Sequence, residues 1–439
     1  MRTYYLRSFG CQMNAHDAER IRALLEAEGL ERAAEPDGAD VLVYNTCTVR
    51  QSADERLAGH LGTAARLKRE DPGRLVLVTG CLAQAEQRDL FRRFPFVDGA
   101  LGPQNLQRLP ELLAAAAAPA AGRPPGYFVD GPAMSGDLAA RRERPYQAWV
   151  QIMSGCTNFC SYCIVPRVRG PERSRDLQTV VAEVRGLVAD GVREVTLLGQ
   201  NVNAYGLDLR RGGSEGAPDF PALLRALDAV PGLARLRFMT SHPRDLSDDL
   251  VRALAELPSV CEHVHLPAQS GSDRVLAAMG RGYTAAAYLE RVRALRAAVP
   301  DVSVTTDLIA GFPGESDDDF AQTLGLVRAA AFDAAFTFVF SPRRGAAAAD
   351  LPGQIAAPVK RERVERLIAL TQELAQDSRR RWVGRRAEVL IEGPSRDGRG
   401  LRGRTRQNVT ANVTTAAEPG AIVEIEVTGA TSTTLRGRA

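Results

Sequence analysis

Three cysteines, Cys156, Cys160 and Cys163, lie close together in the chain with the spacing C-x3-C-x2-C. Three thiolates in one short loop can bind three irons of a 4Fe-4S cluster and leave the fourth iron open to a substrate or cofactor. A closed zinc site needs a fourth ligand nearby. The next cysteine is Cys261, and no histidine occurs between Cys163 and His242. The spacing therefore favours an iron–sulfur cluster over zinc.

Three more cysteines, Cys11, Cys47 and Cys81, each follow a short apolar segment that is predicted to be a strand, at residues 3–8, 41–44 and 75–78. Helical patterns follow these segments, which indicates a small parallel α/β sheet. The carboxyl ends of parallel strands share one edge, where ligand sites form. We therefore expect the three thiols to converge there. The alternative is three independent buried cysteines.

The central part of the chain again alternates predicted strands and helices, which favours a partial (β/α)6 barrel. Active sites of such barrels lie at the C-terminal ends of the strands. Polar residues at those ends are Gln200, Asn203, Ser241 and Asp307. Taken singly, each would more often be a capping or turn residue. The predicted strands are residues 149–153, 195–198, 236–239, 263–266, 302–308 and 336–340.

The last segment predicts a helix over residues 359–380 and then a small β barrel, with strands at 387–391, 408–414 and 422–428. Residues 379–439 hold twelve arginines against six acidic residues. Arg404 and Arg406 are placed between two of the predicted strands, and Asn408 is placed at the start of the second of these. They suggest an RNA-binding surface, and the alternative is a solvated arginine-rich loop.

Composition sets the class of protein. The chain has 439 residues, 45% hydrophobic and 25% charged, with a formal net charge of +3, which is ordinary for a soluble globular protein of several domains. No signal peptide or apolar stretch of about 20 residues is present, so we expect a cytoplasmic protein without a membrane span. The seven cysteines then argue for reduced metal ligands rather than disulfides.

Composition shifts divide the chain into four predicted parts. The predicted parts are an α/β domain over residues 1–118, a linker over 119–141, the partial barrel over 142–375 and the small β barrel over 376–439. The linker is marked by alanine, proline and glycine.

Together these motifs resemble those of the radical S-adenosylmethionine methylthiotransferases over essentially the whole chain. The resemblance implies an N-terminal cluster domain, a radical barrel and a C-terminal TRAM module. The matching motifs are Cys-Gln-Met-Asn at 11–14, Asn-Thr-Cys-Thr-Val-Arg at 45–50, Gly-Cys-Leu-Ala-Gln at 80–84, Arg-Gly-Pro-Glu-Arg-Ser-Arg at 169–175, and the runs 198–205 and 265–272.

The resemblance also implies two 4Fe-4S clusters with different tasks. The cluster on Cys156, Cys160 and Cys163 would bind S-adenosylmethionine and generate a 5′-deoxyadenosyl radical, with Tyr162 against the adenine of the cofactor. Gln200, Asn203, Ser241 and Asp307 are weaker candidates for polar contacts to S-adenosylmethionine. The cluster on Cys11, Cys47 and Cys81 would hold the sulfur that is methylated and delivered.

Within the family, the motifs are most similar to those of members that methylthiolate C2 of N6-isopentenyladenosine next to the anticodon of tRNA. The implied partners are that tRNA, an electron donor such as flavodoxin or ferredoxin, and a supplier of sulfur or clusters. The chain is expected to act as a monomer.

Three other functions remain open. Related enzymes modify threonylcarbamoyladenosine in tRNA or an aspartate of a ribosomal protein. The first two cysteine motifs and the basic tail favour the isopentenylated base. A non-catalytic iron–sulfur RNA-binding protein is the alternative from another class, and the polar strand ends argue against it. Cys261 is most simply a small core residue.

Overall fold

The computed structural model describes residues 1–48, 51–117, 126–129, 138–214, 216–396, 398 and 400–439, and for 51–56 the backbone alone. Val49, Arg50 and most of the predicted linker, at 119–125 and 130–137, lie outside the described residues. The chain divides into two compact units. Unit 1 is 1–143, 154–157 and 163–172, and unit 2 is 144–153, 158–162 and 173–439. Among the helices so described, none is long and apolar enough to cross a membrane.

Unit 1 is built on a parallel sheet. Its strands are β1 Thr3–Ser8, β2 Glu31–Arg32, β3 Val41–Thr46, β4 Leu75–Gly80, β5 Gly99–Leu101 and β6 Gly126–Phe128. Their order across the sheet is β2-β1-β3-β4-β5-β6. The three strands predicted from the sequence are confirmed as β1, β3 and β4, whereas the short strands β2, β5 and β6 were missed.

Both faces of this sheet are covered, since β3 and β4 are buried along their whole length and apolar except at their carboxyl ends. Leu42 and Val76 pack into the core on one face, and Val43 and Leu77 pack into the core on the other. The helices of unit 1 are α1 Gln12–Ala27, α2 Gln51–Glu70, α3 Cys81–Glu86, α4 Asp89–Arg93, α5 Leu109–Ala117 and α6 Val165–Arg169.

Unit 2 contains the predicted partial barrel, as six parallel strands in two hydrogen-bonded groups, β7-β10-β11 and β12-β13-β14. A bridge from Leu236 to Val260, beside β12, connects the groups. The strands of this part of the chain are β7 Gln147–Gln151, β8 Met153–Ser154, β9 Arg173–Ser174, β10 Glu194–Leu198, β11 Arg235–Phe238, β12 His263–His265, β13 Ser303–Ala310 and β14 Ala334–Val339.

One face of these barrel strands is apolar and packs against the helices, as Leu197, Leu236 and Val264 show. The alternate residues on the strands, among them Arg237 and His265, are polar yet buried. The helices of unit 2 are α7 Leu177–Ala189, α8 Leu207–Arg211, α9 Phe220–Asp228, α10 Asp248–Glu256, α11 Asp273–Ala278, α12 Ala285–Ala298, α13 Asp317–Ala330 and α14 Ala357–Arg380.

The C-terminal strands of unit 2 form a closed barrel in the order β15-β16-β17-β19-β18, which confirms the predicted small β barrel. Arg404 was expected between strands but lies within β16. This segment forms a strand because it pairs with β15 on one side and β17 on the other. The strands are β15 Arg386–Pro394, β16 Leu401–Thr405, β17 Thr410–Thr414, β18 Ile422–Ala430 and β19 Thr434–Arg438.

Candidate active site: two cysteine triplets and the polar strand ends

Cys11, Cys47 and Cys81, hereafter the strand-end triplet, follow the neighbouring strands β1, β3 and β4. The thiols of Cys11 and Cys47 are hydrogen-bonded to each other. Cys47 and Cys81 are buried and Cys11 is partly exposed. The fold thus brings these sequence-predicted residues to one edge of the sheet.

Glycines permit the close approach of the strand-end triplet. Gly10 has φ +123°, and a Cβ placed on it would lie 2.4 Å from Cys47 Cβ. Gly80 has φ +91°, and its Cβ would lie 2.4 Å from the Thr46 carbonyl oxygen. Only glycine adopts this backbone without strain. Glycine is therefore required before Cys11 by the close approach of Cys47, and before Cys81 by the close approach of the end of β3.

Two asparagines of the predicted motifs hold the same strand ends together. Asn14 Nδ2 donates to the Thr46 carbonyl oxygen at 3.0 Å, and Asn45 Nδ2 donates to the Asn14 carbonyl oxygen at 2.8 Å. These bonds tie the first turn of α1 to the end of β3. They explain why the cysteine motifs carry asparagines, which bind backbone rather than a ligand.

A buried arginine, Arg169, borders the strand-end triplet. It pairs with Asp17 at 3.3 Å and donates to the Cys81 thiol. The hydrogen bond from Cys47 and the charge of Arg169 lower the pKa of the Cys11 thiol to about 6. Burial raises the pKa of the Cys81 thiol, and the charge of Arg169 opposes that shift. A thiolate is the form that binds metal, so three cysteines beside this cation fit an iron–sulfur cluster. The sequence analysis assigned no role to Arg169, although the 169–175 motif contains it.

Cys156, Cys160 and Cys163, hereafter the loop triplet, occupy the loop that follows β8. Cys160 is 8% exposed. Ser161 fixes the middle of the loop, since its backbone N–H donates to the Met279 carbonyl at 3.0 Å and its hydroxyl to the Ala278 carbonyl at 2.9 Å. These two bonds anchor the middle of the loop to the carboxyl end of α11.

Neither triplet resembles a site for a single metal ion. Within the described part of the chain, no three His, Cys, Asp or Glu side chains form a group that could hold one ion. A zinc ion draws its ligands in to about 2.3 Å, whereas each cysteine at a cubane cluster binds a different iron. Three thiolates at a cluster therefore need not converge on one point, and among the described residues these do not.

The polar strand ends of the barrel differ in how they are bonded. Asn203 Nδ2 donates to the His242 carbonyl at 2.9 Å, and its Oδ1 accepts from the His242 N–H at 2.8 Å. Gln200 is half-buried. Tyr162 packs against the apolar cluster that contains Met279 and Phe340. The two bonds of Asn203 to the His242 backbone fix the turn after β11, where Ser241 lies.

Buried polar atoms without a partner mark the same strand ends. Ser241 Oγ, Asn201 Oδ1 and Gln269 Oε1 are buried and accept or donate no hydrogen bond within the described ranges. Gln269 also has φ +68°, a conformation that non-glycine residues rarely adopt outside functional sites. An unsatisfied buried polar group costs about 1–3 kcal/mol. A polar ligand such as S-adenosylmethionine would satisfy these atoms, so the site fits that cofactor.

Asp307 ends a hydrogen-bonded chain on the buried polar face of the strands. His263 Nε2 and His265 Nδ1 lie 3.1 and 3.0 Å from the Thr305 hydroxyl, and His265 Nε2 lies 3.5 Å from Asp307. Phe336 meets His265 ring edge to face at 6.0 Å and remains half-exposed. A functional role for Phe336 was not predicted from the sequence. Its position as an aromatic residue on the edge strand β14 was the available signal.

The predicted RNA-binding residues make bonds within the protein. Arg404 lies 3.2 Å from Glu392, and its Nη1 donates to Asn408 Oδ1 at 3.3 Å. Arg406 pairs with Glu262 at 2.8 Å and also donates to the Val260 carbonyl at 2.8 Å. Arg406 thus holds the C-terminal barrel against the strands of the partial barrel.

Cys261 stands apart from both triplets. It is 1% exposed, and burial raises the pKa of its thiol while the neighbouring Arg237 opposes that shift. Its backbone N–H donates to the Leu236 carbonyl at 2.9 Å. This environment is that of a core residue.

Comparisons with known families match three regions of the chain. The Radical SAM superfamily matches residues 150–327, an uncharacterized protein family designated UPF0004 matches 3–102, and the TRAM domain matches 380–439. The loop triplet falls in the first match, and the strand-end triplet falls in the second.

Curated relatives are similar over nearly the full chain. A tRNA-2-methylthio-N(6)-dimethylallyladenosine synthase of Acidothermus cellulolyticus is 46% identical over 98% of this chain and 86% of its own. The enzyme of the same name from Moorella thermoacetica is 47% identical over 93% of this chain and 91% of its own.

A solved structure shares the fold. The radical S-adenosylmethionine methyltransferase TsrM from Kitasatospora setae superposes with a TM-score of 0.57 at 17% identity, over 77% of this chain and 75% of that one. At that identity the likeness concerns the fold alone.

Proposed function

The chain belongs to the radical S-adenosylmethionine methylthiotransferases that include the tRNA-2-methylthio-N(6)-dimethylallyladenosine synthases, and we propose that it transfers a methylthio group to C2 of N6-isopentenyladenosine next to the anticodon of tRNA. The observation that carries the reaction class is the presence of two cysteine triplets in one chain, and the choice of base is supported by the curated relatives that are 46% and 47% identical over most of the chain. The loop triplet matches radical chemistry in general. The strand-end triplet adds a second cluster site, which a reaction that inserts sulfur requires.

The cysteines have separate roles in this proposal. The loop triplet holds the cluster that binds S-adenosylmethionine, and the strand-end triplet holds the cluster that carries the sulfur. When bound, these groups supply the one-electron chemistry and the methylthio group that an inert aromatic C–H bond requires. The protein contributes thiolates, and the lowered pKa of Cys11 and the neighbouring Arg169 support that role at the strand-end triplet.

Contacts to S-adenosylmethionine are assigned to the barrel strand ends. Ser241, with its unsatisfied buried hydroxyl, is proposed as a direct polar contact, and Tyr162, Gln200 and Asp307 complete the set. Asn203 contributes by fixing the turn that carries Ser241, since both of its bonds go to the His242 backbone.

The substrate base is proposed to stack on Phe336. Exposed aromatic rings are the surfaces on which unpaired bases stack, and this ring is held edge to face by His265. A base with an apolar isopentenyl substituent gains further from such a surface.

The C-terminal barrel is proposed to bind the tRNA body through its arginines. Arg404, Arg406 and Asn408 shape the module, and the exposed Arg436 and Arg438 on β19 are placed to meet phosphates. The barrel thereby supports presentation of the anticodon region.

The proposed reaction requires partners that this chain does not contain. An electron donor such as flavodoxin or ferredoxin reduces the radical cluster, and a sulfur or cluster supplier renews the strand-end site. The enzyme is proposed to act as a monomer, in the cytoplasm where tRNA is modified.

The test is mass spectrometry of nucleosides from tRNA incubated anaerobically with reconstituted protein, S-adenosylmethionine and a reductant. Isopentenylated tRNA is expected to gain a methylthio group. The gain is expected to vanish in Cys156→Ala and to persist in Cys261→Ala, which removes a core thiol outside both triplets.

Three alternatives are distinguished by the same experiment. A gain on threonylcarbamoyladenosine but not on the isopentenylated base would reassign the substrate. Cofactor cleavage with neither tRNA modified would point to the ribosomal-protein substrate. Protein that binds clusters and RNA but does not cleave S-adenosylmethionine would be a non-catalytic binder.

A further inference from the structure

Arg281 is a buried cation beside a cysteine of the loop triplet. The residue is 5% exposed. Its Nη1 donates to Cys160 Sγ at 3.5 Å, its Nη2 donates to the Pro267 carbonyl at 2.8 Å, and its Nε donates to the Tyr283 hydroxyl at 3.0 Å. The guanidinium is therefore held in one orientation, with one edge against the sulfur.

The other buried arginines of unit 2 each have a carboxylate. Arg237 lies 2.9 Å from Glu194, Arg363 lies 3.3 Å from Glu315, and Arg379 lies 3.8 Å from Asp333. A buried charge is stable only when it is paired, because desolvation costs several kcal/mol per ion.

Arg281 has no such partner. Among the residues that the structure describes, its side chain bonds to the Cys160 sulfur, the Pro267 carbonyl and the Tyr283 hydroxyl and also interacts with Tyr162, and none of these is an Asp or Glu. The only contact in this set that can become an anion at neutral pH is the cysteine sulfur once it binds iron.

We propose that Arg281 is the counter-ion of the radical cluster and that it raises the cluster's reduction potential through the hydrogen bond to Cys160. A 4Fe-4S cluster with three thiolates gains one negative charge on reduction, and a fixed cation beside a ligand sulfur stabilises the reduced form. Hydrogen bonds to cluster sulfurs and local charge are known determinants of cluster potential. Arg281 is thus a positioning residue that eases reduction of the cluster by the electron donor, the first step of the reaction in the proposed function on which this inference rests.

Tyr283 completes the arrangement around Arg281. Its hydroxyl accepts from Arg281 Nε and donates to the Ala268 carbonyl at 2.8 Å. The tyrosine therefore ties the guanidinium to the chain that follows β12. Its removal should loosen Arg281 without removing the charge.

The test is an EPR-monitored redox titration of the full-length chain in which the strand-end triplet is replaced by alanine, so that one cluster remains. In Arg281→Met, the ratio of reduced to oxidised cluster at a fixed solution potential is expected to fall at least tenfold, equivalent to about 59 mV for a one-electron couple. Arg281→Lys keeps the charge and is expected to shift the ratio less. An unchanged ratio in Arg281→Met would overturn the proposal.

Arg244→Met is the matched control, because Arg244 also contacts the cysteine loop, through Asn158, but its side chain is 48% exposed. The cluster of the Arg244→Met variant is expected to have the same reduction potential as the cluster of the protein with Arg244 and Arg281 intact. If Arg281→Met takes up no cluster, Arg281→Gln replaces it. The glutamine keeps a donor but loses the charge, so the same fall is expected, and an unchanged ratio would again refute the proposal.

Melting temperatures separate this role from a purely structural one. Arg281→Met, or Arg281→Gln in its place, is expected to lower the melting temperature more in cluster-loaded than in cluster-free protein, since only the loaded protein contains the proposed anion. Equal losses would contradict the proposal. These readouts need no RNA, so wild-type protein that fails to modify tRNA would refute the proposed function and leave this inference standing.

Discussion

Replacement of Arg237 by methionine should weaken unit 2, because this arginine connects the partial barrel to the C-terminal barrel. Arg237 is 5% exposed. Its Nε donates to Glu194 at 2.9 Å, and its Nη1 and Nη2 donate to the carbonyls of Arg406 and Thr405, each at 2.7 Å. Methionine fills a similar volume but leaves Glu194 and both carbonyls without these donors.

The expected loss follows from the burial of this pair. Arg237→Met removes the shorter of the two ion pairs of Glu194 and leaves Arg235 at 3.6 Å. Together with the loss of donors to two carbonyls, disruption of this buried pair costs about 3–5 kcal/mol. For a unit of this size, 1 kcal/mol lowers the melting temperature by about 2 °C. Arg237→Met should therefore melt roughly 6–10 °C below the parent.

Thermal unfolding followed by tryptophan fluorescence is the assay, since both tryptophans, Trp149 and Trp382, belong to unit 2. Arg366→Met is the matched control. Arg366 pairs with Glu362 one helical turn away at 3.1 Å, and both side chains are more than half-exposed, so its loss should stay within about 1 kcal/mol. A melting temperature for Arg237→Met that matches this control would refute the reasoning.

Three further predictions concern ligands. Ser241→Ala should weaken S-adenosylmethionine binding about tenfold, since the ligand loses one hydrogen bond; calorimetry on cluster-loaded protein that gives an unchanged affinity would contradict this. Phe336→Ala should weaken tRNA binding by roughly 1–3 kcal/mol, the energy of one base stack, and so raise KM for tRNA. An unchanged KM would place the base elsewhere. Arg436→Gln combined with Arg438→Gln should reduce the salt dependence of tRNA binding by up to about two phosphate contacts. Arg406→Gln should mainly lower the melting temperature. If Arg406→Gln instead reduced the salt dependence and the double variant only lowered the melting temperature, Arg406 would be the phosphate contact and the β19 arginines would be structural.

Much of the fold could be predicted because the strands are long and apolar. The runs at β3 and β4 have no polar interruption that competes with a buried strand. The strands β2 and β5 were missed because they are only two or three residues long and owe their pairing to neighbours. β16 was missed because its arginines and glycine have low strand propensity, which pairing with β15 and β17 overrides.

The cysteines of the candidate site could be named from their spacing and their positions after strands. The arginines that surround them could not. Arg169 and Arg281 are distant in sequence from the thiols that they contact, and arginine in a sequence is usually read as exposed. Their burial depends on tertiary packing, so their relation to Cys81 and Cys160 emerges only from the folded chain.

The same distinction applies to the RNA-binding residues. The charge excess of residues 379–439 is a property of the sequence, whereas the choice of which arginines face outward depends on the register of the barrel. Arg406 is mostly buried against Glu262. Arg436 and Arg438 lie exposed on β19, where Arg438 pairs with the exposed Glu426 at 3.0 Å. Arginine count alone therefore indicates a binding module without locating its surface.

The central claim is that two cysteine triplets divide the reaction, one for the radical and one for the sulfur. Cys47→Ala tests it most directly, because it alters the strand-end triplet and leaves the loop triplet intact. Products from isopentenylated tRNA are measured by mass spectrometry together with S-adenosylmethionine cleavage. The account predicts cleavage of S-adenosylmethionine without a methylthio gain on the base. A methylthiolated base formed at the wild-type rate by Cys47→Ala would contradict it.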